Sequence, residues 1–271
     1  MSKHDRPSNE NLRAIYDERA QEYIYRGADG FPARKHRGIL EHLQNLAKLR
    51  LLEIGCGNGP YLAWLSKRDL TSIVGIDLSP RILIEAKKRV QHEGQISIVR
   101  LVAADAVTLP FVDASFDLLL ASQVIEHIPA AQSALREIWR VMRPGGVLII
   151  STDNRDNRVT QALSWPLRFM RRLLGFPEWH PPFPHRSYAQ AEFIAMIRQA
   201  GFDVLEASTY RFSWPSRLVK MRFLVRFLDS IEEHLIRHAP FDRWGDILLL
   251  VASRVGAPAL VQSDQVNRSE Q

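Results

Sequence analysis

The chain has 271 residues, 46% of them apolar, so it can bury one sizeable α/β core with a small accessory region. The first twenty residues are polar and charged, and the apolar runs are too short to cross a bilayer, which predicts neither a signal peptide nor a membrane-spanning helix. Cys56 is the only cysteine, which excludes an intrachain disulfide here and favours a reducing, cytoplasmic setting. The net charge of +6 does not choose between nucleic acid, anionic lipid and solubility.

Two helices are predicted ahead of the first strand. Apolar residues recur at helical spacing over residues 11–24 and again over residues 34–48, whereas residues 1–10 lack such a pattern. These helices either pack against the core or form a lid over a site in it, and their spacing does not choose between the two.

Residues 51–60 predict a buried strand, a tight turn and the start of a helix. The short apolar run ends in glycines at alternate positions, Gly55, Gly57 and Gly59, and Pro60 follows them. Glycine adopts positive φ at little cost and lets a ligand approach the main chain, while proline suits the first turn of a helix. A strand, a glycine turn and a helix in this order hold a nucleotide-like ligand at the carboxyl edge of an α/β sheet.

The second predicted strand, residues 73–77, ends in a carboxylate about twenty residues beyond the glycine turn. An acidic side chain at that distance can accept both ribose hydroxyls of a bound nucleoside. Ser79 and Pro80 predict the N-cap and the first residue of a helix that runs to about Val90. Asp77 is therefore a candidate ribose ligand, although an aspartate before a helix is often only part of a cap.

Three further apolar runs, residues 96–103, 116–121 and 147–151, predict parallel strands that are covered on both faces. A helix is predicted over residues 131–142, ended by the Arg-Pro-Gly-Gly run of residues 143–146. Nearer the C-terminus, Ser187 and Gln190 predict a capping box for a helix over residues 188–200. Residues 202–209 and 246–254 predict the last two strands, separated by a long helical insertion over residues 216–238.

Four motifs within residues 51–152 resemble those of class I S-adenosylmethionine (SAM)-dependent methyltransferases of the ubiquinone–menaquinone type. The run Glu53-x-Gly-x-Gly-x-Gly59 resembles the first motif, and Asp77 lies at the expected distance from it. Residues 105–111 resemble the third motif, and residues 135–146 resemble the segment between strands four and five. A dinucleotide fingerprint would place the third glycine one residue later.

The resemblance implies an α/β fold with a Rossmann-like, doubly wound sheet of seven strands, the last of them antiparallel, and helical lid insertions. We expect residues 1–254 to form a single methyltransferase domain. Within it, residues 11–48 are an N-terminal helical lid, residues 49–152 are the SAM-binding core, and residues 153–254 are an acceptor lid and C-terminal half. Residues 255–271 are expected to be a disordered tail.

The same resemblance implies SAM as the cofactor and methyl transfer to oxygen or carbon of a small-molecule or lipid-like acceptor. It assigns a set of residues to cofactor binding: Glu53, Gly55, Cys56, Gly57, Gly59, Asp77, Leu78, Asp105, Ala106, Ser122 and Gln123. An oxygen acceptor must also lose a proton. His127 is the histidine nearest in the sequence to the carboxyl edge of the predicted sheet, and it is the candidate base. A histidine that only caps or packs would fit the sequence equally well.

The neighbouring Glu126 and His127 raise the question of a metal. Some relatives have Glu-x-x-Glu-His here and bind a divalent metal, but this chain has Gln123 at the first position. A neutral amide oxygen in place of a carboxylate weakens a site for a hard cation. No metal is therefore expected.

Residues 155–238, on the expected acceptor side, carry most of the chain's net positive charge. Residues 155–238 hold 13 Lys and Arg against 8 Asp and Glu, and residues 211–228 hold 5 basic residues and no acidic one. Apolar residues recur there at helical spacing, which predicts either a lid at a membrane surface or a helix that packs on the core with solvated arginines. Peripheral contact with the inner face of a membrane is one expectation from this pattern.

Two other functions stay open at this point. A nucleic-acid methyltransferase would fit the basic balance, but the amino-directed enzymes carry Asn/Asp-Pro-Pro-Tyr after strand four, where this chain has Ser-Gln-Val-Ile at residues 122–125. Nucleic acid is therefore not favoured as a partner. A SAM-binding protein without turnover would keep the same glycine turn and acidic ligands. The sequence determines neither the acceptor nor the oligomeric state.

Overall fold

The computed structural model describes residues 12–15, 17–18, 48–158, 161, 185–210 and 244–255. Its centre is one sheet of seven strands: β1 (Arg50–Ile54), β2 (Ser72–Asp77), β3 (Val99–Ala103), β4 (Phe116–Ser122), β5 (Met142–Asp153), β6 (Phe202–Tyr210) and β7 (Ile247–Arg254). The strand order is β3-β2-β1-β4-β5-β7-β6. Neighbours among β1 to β5 pair in parallel, and β7 is antiparallel to both β5 and β6. The predicted fold class is confirmed, including the antiparallel last strand.

Helices lie between these strands: α1 (Pro60–Leu65), α2 (Pro80–Glu93), α3 (Ala131–Val141) and α4 (Gln190–Gln199), with 3₁₀ turns at Ile96–Ile98 and Ile125–His127. Residues 12–15 and 17–18 are helical, as predicted. The second N-terminal helix falls outside the described residues except for Lys48, which lies in a turn with a φ of 73°. Among the described residues, no helix is long and apolar enough to span a membrane.

The sheet is buried on both faces, which explains the continuous apolar runs in the sequence. Side chains alternate across a strand, so Leu51 of β1 faces one layer while Leu52 and Ile54 face the other. The first layer contains buried residues of α1 and α2, and the second contains buried residues of α3 and α4. Helices on both faces of a mostly parallel sheet make this a doubly wound fold.

The strand order places a crevice at the carboxyl edge of the sheet. β1 pairs with β2 on one side and with β4 on the other, so the connections that leave β1 and β4 run to opposite faces. Ligands of open α/β sheets bind at such a switch point. The glycine turn after β1, Asp77 at the end of β2 and Ser122 at the end of β4 all lie at this edge.

Two predicted strand boundaries were wrong. The third strand begins at Val99, because residues 96–98 form a 3₁₀ turn before it. The Arg-Pro-Gly-Gly run of residues 143–146 does not separate a helix from a strand but lies within β5. The pairing with β4 jumps from Phe116–Met142 to Leu118–Val147. The run therefore forms an irregularity in a longer strand rather than a free turn.

The predicted capping box at Ser187 and Gln190 was also wrong. Helix α4 begins at Gln190, its N-cap is Ala189, and no side chain bonds to the cap. Tyr188 instead forms an isolated parallel bridge with Asn154: its N–H donates to the Asp153 carbonyl at 3.0 Å, and its carbonyl accepts from the Arg155 N–H at 2.8 Å. This pairing holds the chain extended up to Tyr188, so the helix starts later.

Candidate active site

A cavity opens at the carboxyl edge of β1, β2, β3 and β4. It is lined by Leu12, Ile54, Gly55, Gly57, Ile76, Asp77, Leu78, Ile82, Ala104, Asp105, Ala106, Gln123, Val124, His127, Ile128 and Pro129. Eight of the twelve residues that the sequence singled out are among them: Gly55, Gly57, Asp77, Leu78, Asp105, Ala106, Gln123 and His127. The other four, Glu53, Cys56, Gly59 and Ser122, do not line the cavity.

The glycine turn is tied to the end of β2 by main-chain contacts. The Cys56 N–H donates to the Ile76 carbonyl at 2.9 Å, and the Gly57 N–H donates to Asp77 Oδ2 at 3.0 Å. Gly55 and Gly57 have φ values of 64° and 53°, in the left-handed region that favours glycine. The turn therefore presents bare main chain to the cavity and holds the Asp77 carboxylate beside it.

Asp77 is fixed from two sides by main-chain donors. In addition to the Gly57 contact, its Oδ1 accepts from the Ser79 N–H at 3.0 Å. Burial raises the pKa of the Asp77 carboxyl, and the N–H groups of Ser79 and Gly57 oppose that rise. Each carboxylate oxygen has a second lone pair, so the group can still accept from a ligand hydroxyl. Ser79 is the N-cap of α2, as predicted, since its Oγ accepts from the Ile82 N–H at 3.2 Å.

The turn after β3 is organised by Asp105. Its Oδ1 accepts from the Val107 N–H at 3.0 Å, which holds residues 105–107 as a tight turn. The Ala104 N–H donates to the Asp77 carbonyl at 3.0 Å and ties the end of β3 to β2. Asp105 and Ala106 thus lie at the same cavity as Asp77, on the neighbouring strand end.

Two residues of the first motif are buried behind the turn. Glu53 is 2% exposed, and its Oε2 has no hydrogen-bond partner among the residues that the structure describes. Burial, with a contribution from the nearby Asp77, raises the pKa of Glu53 well above its usual range. Burial likewise raises the pKa of the Cys56 thiol, which packs in the layer that contains α1. The thiol is therefore a small buried group rather than a nucleophile.

The remaining two predicted ligands also serve packing. A Cβ on Gly59 would lie 3.1 Å from the Ala86 Cβ, so glycine at this position allows α1 and α2 to approach closely. The Ser122 hydroxyl lies 3.5 Å from both Tyr61 Oη and Ser151 Oγ, at the end of β4. The motif spacing was thus informative about the turn, but not about which of its residues reach the cavity.

We predict that alanine at Gly55 and at Gly57 will have different effects. A Cβ at Gly55 would overlap with Val124 Cγ2, whereas nothing lies within 4 Å of a Cβ at Gly57. Gly55→Ala should therefore lower the free energy of unfolding by about 3 kcal/mol, from overpacking and left-handed strain. Gly57→Ala should cost only about 1 kcal/mol, from strain alone.

Urea unfolding of both variants measures these costs, and calorimetric titration with SAM measures the effect on the cavity. Gly57→Ala should weaken SAM binding about tenfold or more in a folded protein, because its methyl group occupies cavity space. Equal stability losses in the two variants, or wild-type SAM affinity in Gly57→Ala, would contradict the assigned positions.

A second group of polar side chains lies next to the cavity, and we call it the polar cluster: Gln123, Glu126, His127, Asp153 and His185. His185 Nε2 lies 2.9 Å from Asp153 Oδ2, and the His127 and His185 rings are 5.3 Å apart between centroids. With its amide nitrogen facing Asp153, the Gln123 side chain donates to Asp153 Oδ1 at 2.9 Å and accepts from the Thr152 N–H at 3.2 Å.

Neither Asp153 nor His185 was among the site residues predicted from the sequence. Asp153 ends β5, and His185 precedes α4, so the two come together only through the fold. The segment that carries His185 is held on both sides: the Arg186 N–H donates to the Glu126 carbonyl at 3.0 Å, and the Tyr188 N–H donates to the Asp153 carbonyl. An acidic residue at the end of a strand was the one available signal for Asp153.

The cluster contains two perturbed titratable groups. Glu126 is 3% exposed, and burial raises its pKa to about 8, although the Thr152 hydroxyl donates to Oε2 at 3.1 Å. The hydrogen bond with Asp153 raises the pKa of His185, while its partial burial opposes the rise. Neither Glu126 nor His185 lines the cavity, but both lie next to His127, which does, and perturbed groups near a cavity are candidates for acid–base work.

The described residues contain no group of three or more His, Cys, Asp and Glu side chains arranged to hold a metal ion. The expectation that no metal is needed stays a prediction.

Comparison with known proteins identifies the family. A family described as "Methyltransferase domain" matches residues 52–150. The O-methyltransferase rstn1 of Aspergillus nomiae is 33% identical over 180 residues, which are 66% of this chain and 75% of that protein. Methyltransferase GfsG of Streptomyces halstedii is 37% identical over 42% of this chain and 41% of that protein. The 2-methyl-6-phytyl-1,4-hydroquinone methyltransferase of Synechocystis is 27% identical over 72% of this chain and 57% of that protein. The chain therefore spans about half the length of these last two relatives.

Solved structures agree on the fold. A Haloferax volcanii complex of the Trm112 methyltransferase activator with a methyltransferase superposes with a TM-score of 0.64, at 17% identity over 91% of this chain and 99% of that one. The [4+2]-cyclase SpnF superposes with a TM-score of 0.62, at 20% identity over 93% of this chain and 98% of that one. The similarity to a cyclase shows that this fold alone does not specify methyl transfer. Together with the match to the A. nomiae enzyme, the sheet order and the glycine turn establish that the chain belongs to the class I SAM-dependent methyltransferases, whose cofactor is SAM.

Proposed function

We propose that this protein transfers the methyl group of SAM to an oxygen or carbon atom of a small, lipid-like acceptor. One observation carries the proposal: the cavity at the switch point has the glycine turn, Asp77 and Asp105 on one side and members of the polar cluster on the other. Such a site offers ligands for a nucleoside and, beside them, groups that can move a proton.

The chain's own residues fit the cofactor. Asp77 keeps lone pairs for the ribose hydroxyls, and the space beside Gly57 lets a ligand lie against the main chain. We assign Asp105 to the adenine amino group and the Ala106 N–H to the ring. SAM brings an already activated methyl group, so the protein's task is to orient the two reactants and to exclude water.

The N-terminal segment supports the proposed lid over residues 11–48. Leu12 is 3% exposed and lines the cavity, and Asp17 Oδ1 accepts from the Ser79 hydroxyl at 2.5 Å. A helix fixed at both points would close one side of the cavity and keep water from the reacting atoms. We also propose the remaining divisions of the domain, which are the core over residues 49–152 and the acceptor lid within residues 153–254.

The acceptor class is proposed from chemistry and from the relatives. Leu12, Ile128 and Pro129 give the cavity an apolar wall, and the polar cluster lies next to it. Two of the relatives are an O-methyltransferase and a hydroquinone methyltransferase. A phenol or hydroquinone with an apolar substituent combines an acidic hydroxyl with apolar surface, and it is the acceptor we propose.

Two measurements made together test this function. Calorimetric titration measures the affinity for SAM, and mass spectrometry detects methyl transfer from isotope-labelled SAM to a hydroquinone that bears an alkyl tail. Binding with transfer supports the proposal. Binding without transfer to any phenolic acceptor would favour a SAM-binding protein without turnover, and absence of binding would overturn the cofactor assignment.

Peripheral membrane contact is a separate proposal. It rests on the surplus of basic residues in the segments 155–185 and 211–238, most of which lie outside the described residues. We predict that the protein sediments with anionic liposomes at low salt, and that replacing Arg217, Lys220, Arg222 and Arg226 by Gln abolishes this binding. Each basic residue near an anionic surface contributes about 1 kcal/mol. Unchanged SAM affinity is the control, and failure of the wild-type protein to sediment would remove the membrane from the proposal.

A further inference from the structure

We propose that His185, oriented by Asp153, is the base that takes the proton from the methyl acceptor, in place of His127, which the sequence favoured. The inference rests on the proposed function, because a base is needed only if an acceptor hydroxyl is methylated. Its evidence is the geometry of the polar cluster.

The contact with Asp153 determines the tautomer of His185. Nε2 lies 2.9 Å from Asp153 Oδ2, so it carries the proton and donates to the carboxylate. Nδ1 is then the basic nitrogen of the neutral ring. A carboxylate that fixes the tautomer and stabilises the imidazolium is the arrangement that makes a histidine an effective base.

Asp153 is itself held in place by contacts to both of its carboxylate oxygens. Its Oδ1 accepts from the Gln123 amide at 2.9 Å, and its Oδ2 is bonded to His185. Gln123 has a φ of 54°, an uncommon value for a residue with a side chain, at the turn that leaves β4. Such backbone conformations cluster at functional sites because the surrounding structure must hold them. Asp153 thus links a residue of the cavity wall to His185.

The position of His185 relative to the cavity also favours it as the base. His127 and Gln123 line the cavity proposed for the cofactor, whereas His185 is one ring behind His127 and its side chain is 32% exposed. A base for the acceptor must lie beside the cofactor rather than in its place, and it needs a route to pass the proton to solvent. His185 meets both conditions.

The charges around His185 favour its protonated form. Asp153 of β5 faces it directly, and Glu126 and His127 face it from the 3₁₀ turn. The next residue along the chain, Arg186, directs its guanidinium to Glu192, at 2.5 Å, so its charge is engaged elsewhere. An imidazolium formed at His185 is therefore stabilised by a carboxylate.

The step balances without a further reactant. The O–H bond of the acceptor breaks and its proton passes to Nδ1 of His185. The oxygen's electron pair forms the bond to the transferred methyl carbon, and the electrons of the broken carbon–sulfur bond stay on sulfur. The imidazolium then loses the proton to solvent.

The first test measures the His185 pKa by NMR titration of protein labelled at histidine Cε1, with no acceptor present. The pKa should lie above the usual range in the wild-type protein and fall by about one pH unit or more in Asp153→Asn, which removes the charge. Asp156→Asn is the matched control, because Asp156 is exposed in the turn that follows β5. An Asp153→Asn titration equal to that of the wild type would overturn the pairing.

The second test measures methyl transfer to the alkyl hydroquinone. His185→Gln should lower kcat by about 10²–10⁴-fold without changing the Kd for SAM, and the loss should be smaller with the more acidic acceptor 4-nitrophenol. His127→Gln should lower kcat less than His185→Gln does. If His185→Gln keeps the wild-type kcat, or if His127→Gln loses more, the base assignment is wrong and the proposed function stands. If the wild-type protein binds SAM and methylates no acceptor, the proposed function fails, and the base assignment fails with it.

Discussion

Replacing Glu126 by Gln is expected to stabilise the protein by about 3 kcal/mol at pH 7 and by more at higher pH, and to change its stability little at pH 4. Burial raises the pKa of Glu126 to about 8 from an ordinary value of 4.5. A raised pKa means that the folded state favours the protonated form. The contribution of Glu126 to stability is therefore present below pH 4.5 and is lost as the pH rises toward 8.

The neutral amide of the Glu126→Gln variant mimics the protonated carboxyl at every pH and keeps an oxygen that can accept from the Thr152 hydroxyl. Urea unfolding of the wild type and Glu126→Gln between about pH 4 and pH 9 measures the difference. Glu137→Gln is a control of opposite sign, because the hydrogen bond with Arg140 lowers the pKa of Glu137. That variant should be less stable than the wild type at neutral pH. A Glu126→Gln effect that does not change with pH would contradict the burial argument.

The neutral state of Glu126 also matters for the polar cluster. With a pKa of about 8, Glu126 is mostly protonated at neutral pH, whereas Asp153 is paired with His185. Asp153 is then the main negative charge facing His185. The neutral state of Glu126 follows from its burial, since its side chain is fully enclosed, whereas that of Asp153 is about one-third exposed.

The sheet and the glycine turn could be predicted because their signals are local. Continuous apolar runs mark strands that are buried on both faces, and alternating glycines mark a turn in which the main chain takes positive φ. Asp77 followed from its distance to that turn. The structure places all three elements at one edge of the sheet.

The boundaries and part of the site depend on contacts between distant segments. Ser187 and Gln190 had the spacing of a capping box, but pairing of Tyr188 with Asn154 prevents the helix from starting there. His185 and Asp153 belong to no shared motif, and only the crossover from β5 to α4 brings them together. Such pairs carry no periodicity, so a single sequence gives no signal for them.

The motif also includes residues that do not line the cavity. Glu53 and Gly59 have the spacing of the family's first motif, yet Glu53 lies enclosed in β1 and Gly59 packs against Ala86. A residue can be required by the turn without reaching the cavity. For Gly59 the requirement is close approach of two helices, whereas Glu53 is enclosed behind the turn, where burial and the nearby Asp77 raise its pKa.

Asp77 is the residue whose loss should weaken cofactor binding most. We expect SAM to bind with a Kd in the micromolar range, and Asp77→Ala to weaken binding about ten- to hundredfold. A charge-assisted hydrogen bond in a buried site contributes about 1.5–3 kcal/mol, which corresponds to that range. Asp77→Ala also leaves the N–H groups of Gly57 and Ser79 without their acceptor, so the turn itself should loosen.

The two effects can be separated with a second variant. Asp77→Asn keeps one oxygen for a main-chain donor but loses the charge, so it should preserve more stability than Asp77→Ala while still weakening SAM binding. Asp113→Asn is the matched control, because Asp113 is exposed and pairs with Arg140 away from the cavity. Calorimetric titration with SAM, next to urea unfolding of each variant, distinguishes lost ligation from a loosened turn. Wild-type affinity in a folded Asp77→Asn would remove Asp77 from the ribose site. A preference for NAD over SAM in any of these proteins would show that the cavity recognises a different nucleotide. The ribose contact is common to NAD and SAM, so only the remainder of the site discriminates between the two ligands.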